Sequence, residues 1–132
     1  MAFSKGTVAG ALFFIAATQF VLCLTIAEEL YTGYSVSDNY ISDLGIGPSS
    51  IIFNSSVFLL GLLILVETYF LRHISNFKTV KKKHHVMAIG AMGFGVFTKD
   101  FRTVHGALAS MAFLFAGLSA IASFKVLKKP FL

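Results

Sequence analysis

Residues 86–97, VMAIGAMGFGVF, decide how this chain is built. A helix crossing a bilayer core of about 30 Å needs roughly 20 apolar residues, and this run is shorter and thinned by Gly90, Gly93 and Gly95. At that length a re-entrant or buried segment competes with a full crossing. Its neighbours carry the decision. Residues 7–27 (TVAGALFFIAATQFVLCLTIA), 50–71 (SIIFNSSVFLLGLLILVETYFL) and 104–124 (VHGALASMAFLFAGLSAIASF) are each long and apolar enough to span, since only a helix or a closed barrel satisfies its backbone in lipid.

If the run also crosses, as a span over about 85–98, then Lys5, Arg72, Lys78, Lys81, Lys82, Lys83, Lys125, Lys128 and Lys129 share one side. These are nine of the 11 basic residues. The other side keeps Lys99 and Arg102 with Glu28, Glu29, Asp38, Asp43 and Asp100. A re-entrant segment would carry the basic tail to the acidic side. The positive-inside rule therefore predicts an all-α integral membrane bundle of four transmembrane helices with N and C termini cytoplasmic. Residues 1–132 form one transmembrane helical domain, residues 28–49 are an outer loop, and the localisation is the cell membrane as a multi-pass protein. The third span is expected to be shielded by its neighbours and lengthened by snorkelling lysines.

Composition agrees. The 132 residues are 56% hydrophobic and only 13% charged, with a mean hydropathy of +0.80, whereas soluble domains carry about a quarter charged residues. The net charge of +5 does not imply a nucleic-acid partner, because the charges sit between long apolar runs and belong to membrane-protein loops. Cys23 is alone, so no intrachain disulfide forms, and it is expected to serve helix packing. The first apolar run is too long for a secretory h-region and lacks an A-x-A-like site before Glu28, so it is expected to be retained.

Small residues mark where helices approach. Ala112, Ala116 and Ala120 recur every fourth residue on the last span, and Gly6 and Gly10 form a G-x-x-x-G pair on the first. Their expected use is packing within the chain, with a homo-oligomer through the same faces as the rarer outcome. Thr18 and Gln19 lie deep in the first span and should face a partner helix.

The loop at 31–49, YTGYSVSDNYISDLGIGPS, is long for a connector, and its tyrosines suit the headgroup layer. Pro48 before Ser49 and Ser50 signals a helix start. The candidate ligand-binding and lipid-binding residues are Asp38, Asn39, Ser42 and Asn54. With Asp43, Asp100 and His105 they bring carboxylates, an imidazole and an amide to one mouth of the bundle. That inventory permits general acid/base or metal-assisted chemistry on a lipid headgroup, which makes Asp43, Asp100 and His105 the candidate catalytic residues and weak metal candidates. A catalytic zinc takes three protein ligands, and His105 is the only outward histidine. The plainer use of these residues is helix capping and pairing with Lys99 and Arg102.

At the other end, His73, His84 and His85 lie at similar depth, a placement that a haem or metal site requires, although their lysine-rich surroundings favour interfacial histidines. The sequence assigns no cofactor. Glu67 is the one carboxylate within a span and is expected to pair with a nearby cation. Lys78, Lys81, Lys82 and Lys83 are the candidate contacts to anionic headgroups on the cytoplasmic side.

Ser37-Asp38-Asn39-Tyr40-Ile41-Ser42-Asp43-Leu44-Gly45, continued by Gly47-Pro48-Ser49 and Ile52-Phe53-Asn54-Ser55-Ser56, resembles a block of the prokaryotic, often archaeal, membrane family designated domain of unknown function 998. A second similar block runs from Gly90 through Phe97, Asp100 and His105 to Ala120. Family members look like proteins of about six spans, so the resemblance implies a shortened member or a segment of a longer protein. It also implies a shared fold with a polar cluster at Asp43, Asn54, Asp100 and His105, and it supplies no reaction. Thr98 stands where the family pattern favours proline, which affects the shape of that loop. A looser likeness to eukaryotic DRAM-type membrane proteins points to lipid handling by analogy.

Three functional readings follow. The first is a lipid-binding or assembly unit with membrane lipid as partner. The second is a hydrolase-like enzyme acting on outer-leaflet headgroups. The third is a transporter or channel element using Glu67, Gln19 and the glycine-rich span.

Overall fold

The computed structural model describes residues 2–128, so Lys129 of the basic tail and the residues after it lie outside the described residues. Among the described residues four α-helices follow one another: α1 (Lys5–Leu30), α2 (Ser50–Leu71), α3 (Lys78–Val96) and α4 (Arg102–Leu127). Ser4 starts α1 by accepting the Thr7 N–H on its hydroxyl at 3.1 Å. Pro48 sits in a 3-10 turn (Gly47–Ser49) that runs directly into α2, as its missing N–H allows.

Helix α3 begins earlier than residue 85. A short 3-10 turn, Ser75–Phe77, leads straight into Lys78, so the lysines expected in a loop form the first turns of the helix. Its 19 residues rise about 28 Å, close to the thickness of a bilayer core. Among the described residues α1, α2 with its leading turn, and α4 are long and apolar enough to cross a membrane, while α3 is apolar only in its second half. The polar half of α3 is its start, where Lys78 and Lys82 are exposed, while the helix as a whole packs between α2 and α4.

Each helix packs chiefly on its neighbours in sequence. Glycine makes the closest approaches. A Cβ on Gly61 of α2 would lie 2.6 Å from the Ala88 carbonyl oxygen, and one on Gly90 of α3 would lie 2.7 Å from the Ala112 nitrogen of α4. The α2 stripe Phe53, Val57, Gly61, Ile64, Thr68 and Leu71 is buried at a helical spacing, and Gln19 of α1 reaches across to donate to the Ser56 carbonyl at 3.0 Å. Thr18 differs from its expectation: it is exposed, because the turn of α1 that brings Gln19 inward carries its neighbour out. Phe14, Ile51, Phe113 and Phe124 are among many large apolar side chains left exposed around the bundle, an inversion of the soluble pattern that suits contact with lipid.

Helices α1 and α4 do not close the ring. They flank a cleft whose floor is made by α2 and α3.

Candidate functional site: a cleft between the first and last helices

The loop end is shaped by the segment around Asp43. Residues Ile41–Gly45 form a 3-10 turn that pushes Leu44, fully buried, among Ala27, Phe53, Val57 and Phe94. The turn is fastened from several sides. Asp43 accepts the Tyr40 N–H at 3.0 Å and the Asn39 amide at 3.4 Å on one oxygen, and the Lys99 ammonium on the other. The Ser49 hydroxyl donates to the Leu44 carbonyl at 2.7 Å, and the Asn54 amide donates to the Gly45 carbonyl at 2.9 Å. The Lys99 hydrogen bond is the largest influence on the Asp43 carboxyl and holds it below the usual carboxylate range, against the opposing effect of burial. The same bond raises Lys99. The polar residues of this block thus dock a loop onto the bundle end.

His105 is nine-tenths buried in the first turn of α4. Its Nδ1–H donates to the Phe97 carbonyl at 2.6 Å, because a carbonyl can only accept, and its ring lies 4.2 Å from that of Phe94. It pins the start of α4 to the end of α3. Asp100 is exposed and takes a long contact of 3.5 Å from the Thr98 hydroxyl, while Asp38 is exposed and accepts from Ser37. Lys99, Asp100, Arg102, His105 and Tyr40 line a surface hollow of about 600 Å³. Asp43 stands with Lys99, whereas Asp100 and His105 share that hollow. Among the described residues no three His, Cys, Asp or Glu side chains gather closely enough to hold a metal ion.

Below this mouth the cleft has two halves. The half near the loop has a volume of about 620 Å³, with Phe20, Phe53, Phe94 and Phe113 as apolar lining and Asn39 and Ser42 at its rim. Tyr34 also lines it, and its hydroxyl is buried without a partner; burial pushes that phenol above its usual value, assisted by Glu28. The half near the termini has a volume of about 610 Å³. Met87 and Ala116 line both, so the two halves meet at their level.

The floor of the second half holds Glu67 and His84, with His84 Nδ1 2.9 Å from Glu67 Oε2 and both side chains less than a tenth exposed. The partner of Glu67 is therefore a histidine on the next helix. Arg72 instead lies over the Tyr69 ring at 3.9 Å and donates to His73 at 3.1 Å. His73 and His85 are exposed and stand apart from His84 in their contacts. Sequence reasoning missed this pair because the partners lie on different helices, although their similar distances from the helix ends were a usable signal. It also missed the cleft. The small residues read as packing surfaces are divided: Gly90 and Gly93 are filled by α4, while Gly6, Gly10, Ala116 and Ala120 line open space, with nothing within 4 Å of a Cβ placed on Gly10.

A helical bundle with an apolar perimeter, a docked polar loop and a side cleft defines an integral membrane protein. The chain belongs to the family described as Protein of unknown function (DUF998), whose model matches residues 14–130. No curated protein and no solved structure matches it.

Proposed function

We propose that this chain is a lipid-binding, multi-pass protein of the cell membrane, and that a membrane lipid lays its acyl chain in the cleft between α1 and α4. The observation that carries this reading is the cleft itself: two adjoining halves of about 620 and 610 Å³, walled mainly by apolar side chains and by small residues such as Gly10, where an added Cβ would meet none of the described residues within 4 Å. In a bilayer such a cleft fills with lipid or with another helix, since an apolar void forfeits the contacts of its lining.

In this reading both termini and the segment 72–85 face the cytoplasm, where Lys78, Lys81, Lys82 and Lys83 meet anionic headgroups at about 1 kcal/mol per basic residue. The headgroup of the bound lipid sits at the loop end, near Arg102, Asp100 and His105, with Asn39 and Ser42 at the rim. Asp43, Asn54 and Lys99 position the loop. Lipid binding is preferred to hydrolysis because Asp43 is committed to Lys99, Tyr40 and Asn39 and His105 Nδ1 to the Phe97 carbonyl, which leaves Asp100 and His105 without the third ligand that a metal site on these residues requires.

The test is native mass spectrometry of the protein released from mild detergent. Wild type should retain phospholipid, and Ala116→Phe, which fills the junction of the two halves, should reduce retention about tenfold. Equal retention by both proteins would overturn the proposal, as would a lipid-free dimer whose second copy occupies the cleft.

A further inference from the structure

We infer that the Glu67–His84 pair anchors the hydroxyl head of an uncharged lipid alcohol, bound with its chain along the half of the cleft near the termini. The alcohol is a second lipid beside the phospholipid whose head lies at the loop end, and the inference rests on the lipid-binding reading. An ionisable pair inside a span is costly to keep, and such residues ordinarily mark a functional position. Here it is also the main polar feature of an otherwise apolar chamber of about 610 Å³.

The atoms left over by the pair define the ligand. The bond between Glu67 Oε2 and His84 Nδ1 leaves Glu67 Oε1 and His84 Nε2 without partners among the described residues. Neither is sealed, for among the described residues the Tyr34 hydroxyl is the only sealed side-chain polar atom that lacks a partner. Both residues line the chamber. A carboxylate oxygen accepts, and an imidazole nitrogen accepts or donates according to where its proton sits. A hydroxyl, donor and acceptor in one group, answers either: it donates to Oε1, and it takes the complementary role toward Nε2.

Charge excludes the alternatives. An uncharged head adds no net buried charge to the pair. An anion would face the Glu67 carboxylate, and a cation would face His84 and the basic end of the bundle, where Lys5, Lys78, Lys81, Lys82, Lys83, Lys125 and Lys128 gather. Phe13 of α1 closes over the pair, its ring parallel to that of His84 at 5.5 Å and 13°, and remains partly exposed to the chamber. Ser119 of α4 is spent on the Phe115 carbonyl, so the pair is the main polar contact, with the Ser123 hydroxyl as the other polar group of the lining. A diacylglycerol and a polyprenol carry the same head, and the probes below separate them.

The experiment uses the full chain in phospholipid nanodiscs and measures displacement of a diazirine-bearing diacylglycerol from photo-cross-linking. The competitors are dioleoylglycerol, geranylgeraniol and their acetate esters. The free alcohols should compete about tenfold more strongly than the esters, and the better of the two alcohols identifies the chain type. Glu67→Gln and His84→Phe should remove that preference while phospholipid retention persists. If either variant fails to fold, Phe13→Trp, which enlarges the ring stacked on His84 and leaves Glu67 and His84 themselves in place, should lower alcohol competition alone. Equal competition by alcohols and esters in wild type, with phospholipid still retained, would overturn this inference and leave the lipid-binding reading standing. Loss of every lipid from wild type would overturn both.

Discussion

Replacing Gly61 by alanine should loosen the seam between α2 and α3 more than any equivalent change on the open faces of the bundle. The added Cβ would lie 2.6 Å from the Ala88 carbonyl oxygen and 2.8 Å from the Met92 nitrogen, both backbone atoms that cannot rotate away. Restoring ordinary contact requires the helices to part by about 0.8 Å, a gap at which dispersion contacts forfeit a quarter to a half of their well depth. Overpacking of this kind costs about 1–3 kcal/mol, and both helices are backbone-limited here, so about 2 kcal/mol is expected. Spans persist as helices in the unfolded-in-membrane state, so titration with a denaturing detergent reads the loss of helix association directly. Gly10→Ala and Gly117→Ala are the controls, since a Cβ there meets nothing within 4 Å. If Gly61→Ala lost no more stability than these two, the packing described for α2 and α3 would be wrong.

Two further outcomes are expected. Because the folded Asp43 carboxyl titrates below its usual value, its contribution to loop docking is present at neutral pH and is lost only as pH falls through that lowered value. Lys99→Met should move the release upward toward the ordinary aspartate range; amide hydrogen exchange across 40–46 checks it, and an unchanged release point would remove Lys99 from the account. Single cysteines at Asp38 and Lys82, in a chain with Cys23→Ser, should react with an impermeant maleimide from opposite faces of the membrane. Labelling of both from one face would refute the topology.

Much of this architecture is legible in the sequence, and its limits have physical causes. Apolar length and lysine placement identify four helices, and Pro48-Ser49-Ser50 marks the start of α2 within a residue or two. The start of α3 is not legible, because Lys78, Lys81, Lys82 and Lys83 are equally suited to an interfacial loop and to a helix turn that projects them outward. Pairing of Asp43 with Lys99 follows from a shortage of cations at the loop end, but the burial of Leu44 does not, since it depends on how the loop folds back. The cleft is the least legible feature. A small-residue stripe states that a close approach is allowed, and only the arrangement of the helices determines that Gly90 meets α4 while Gly10 meets nothing.

The most direct test of the central claim is a density map of the full chain in a lipid nanodisc. The account predicts α1 and α4 held apart by continuous lipid density that passes Met87 and Ala116. Direct contact of α1 with α4 along Gly6, Gly10, Ala116 and Ala120, with no density between them, would contradict it.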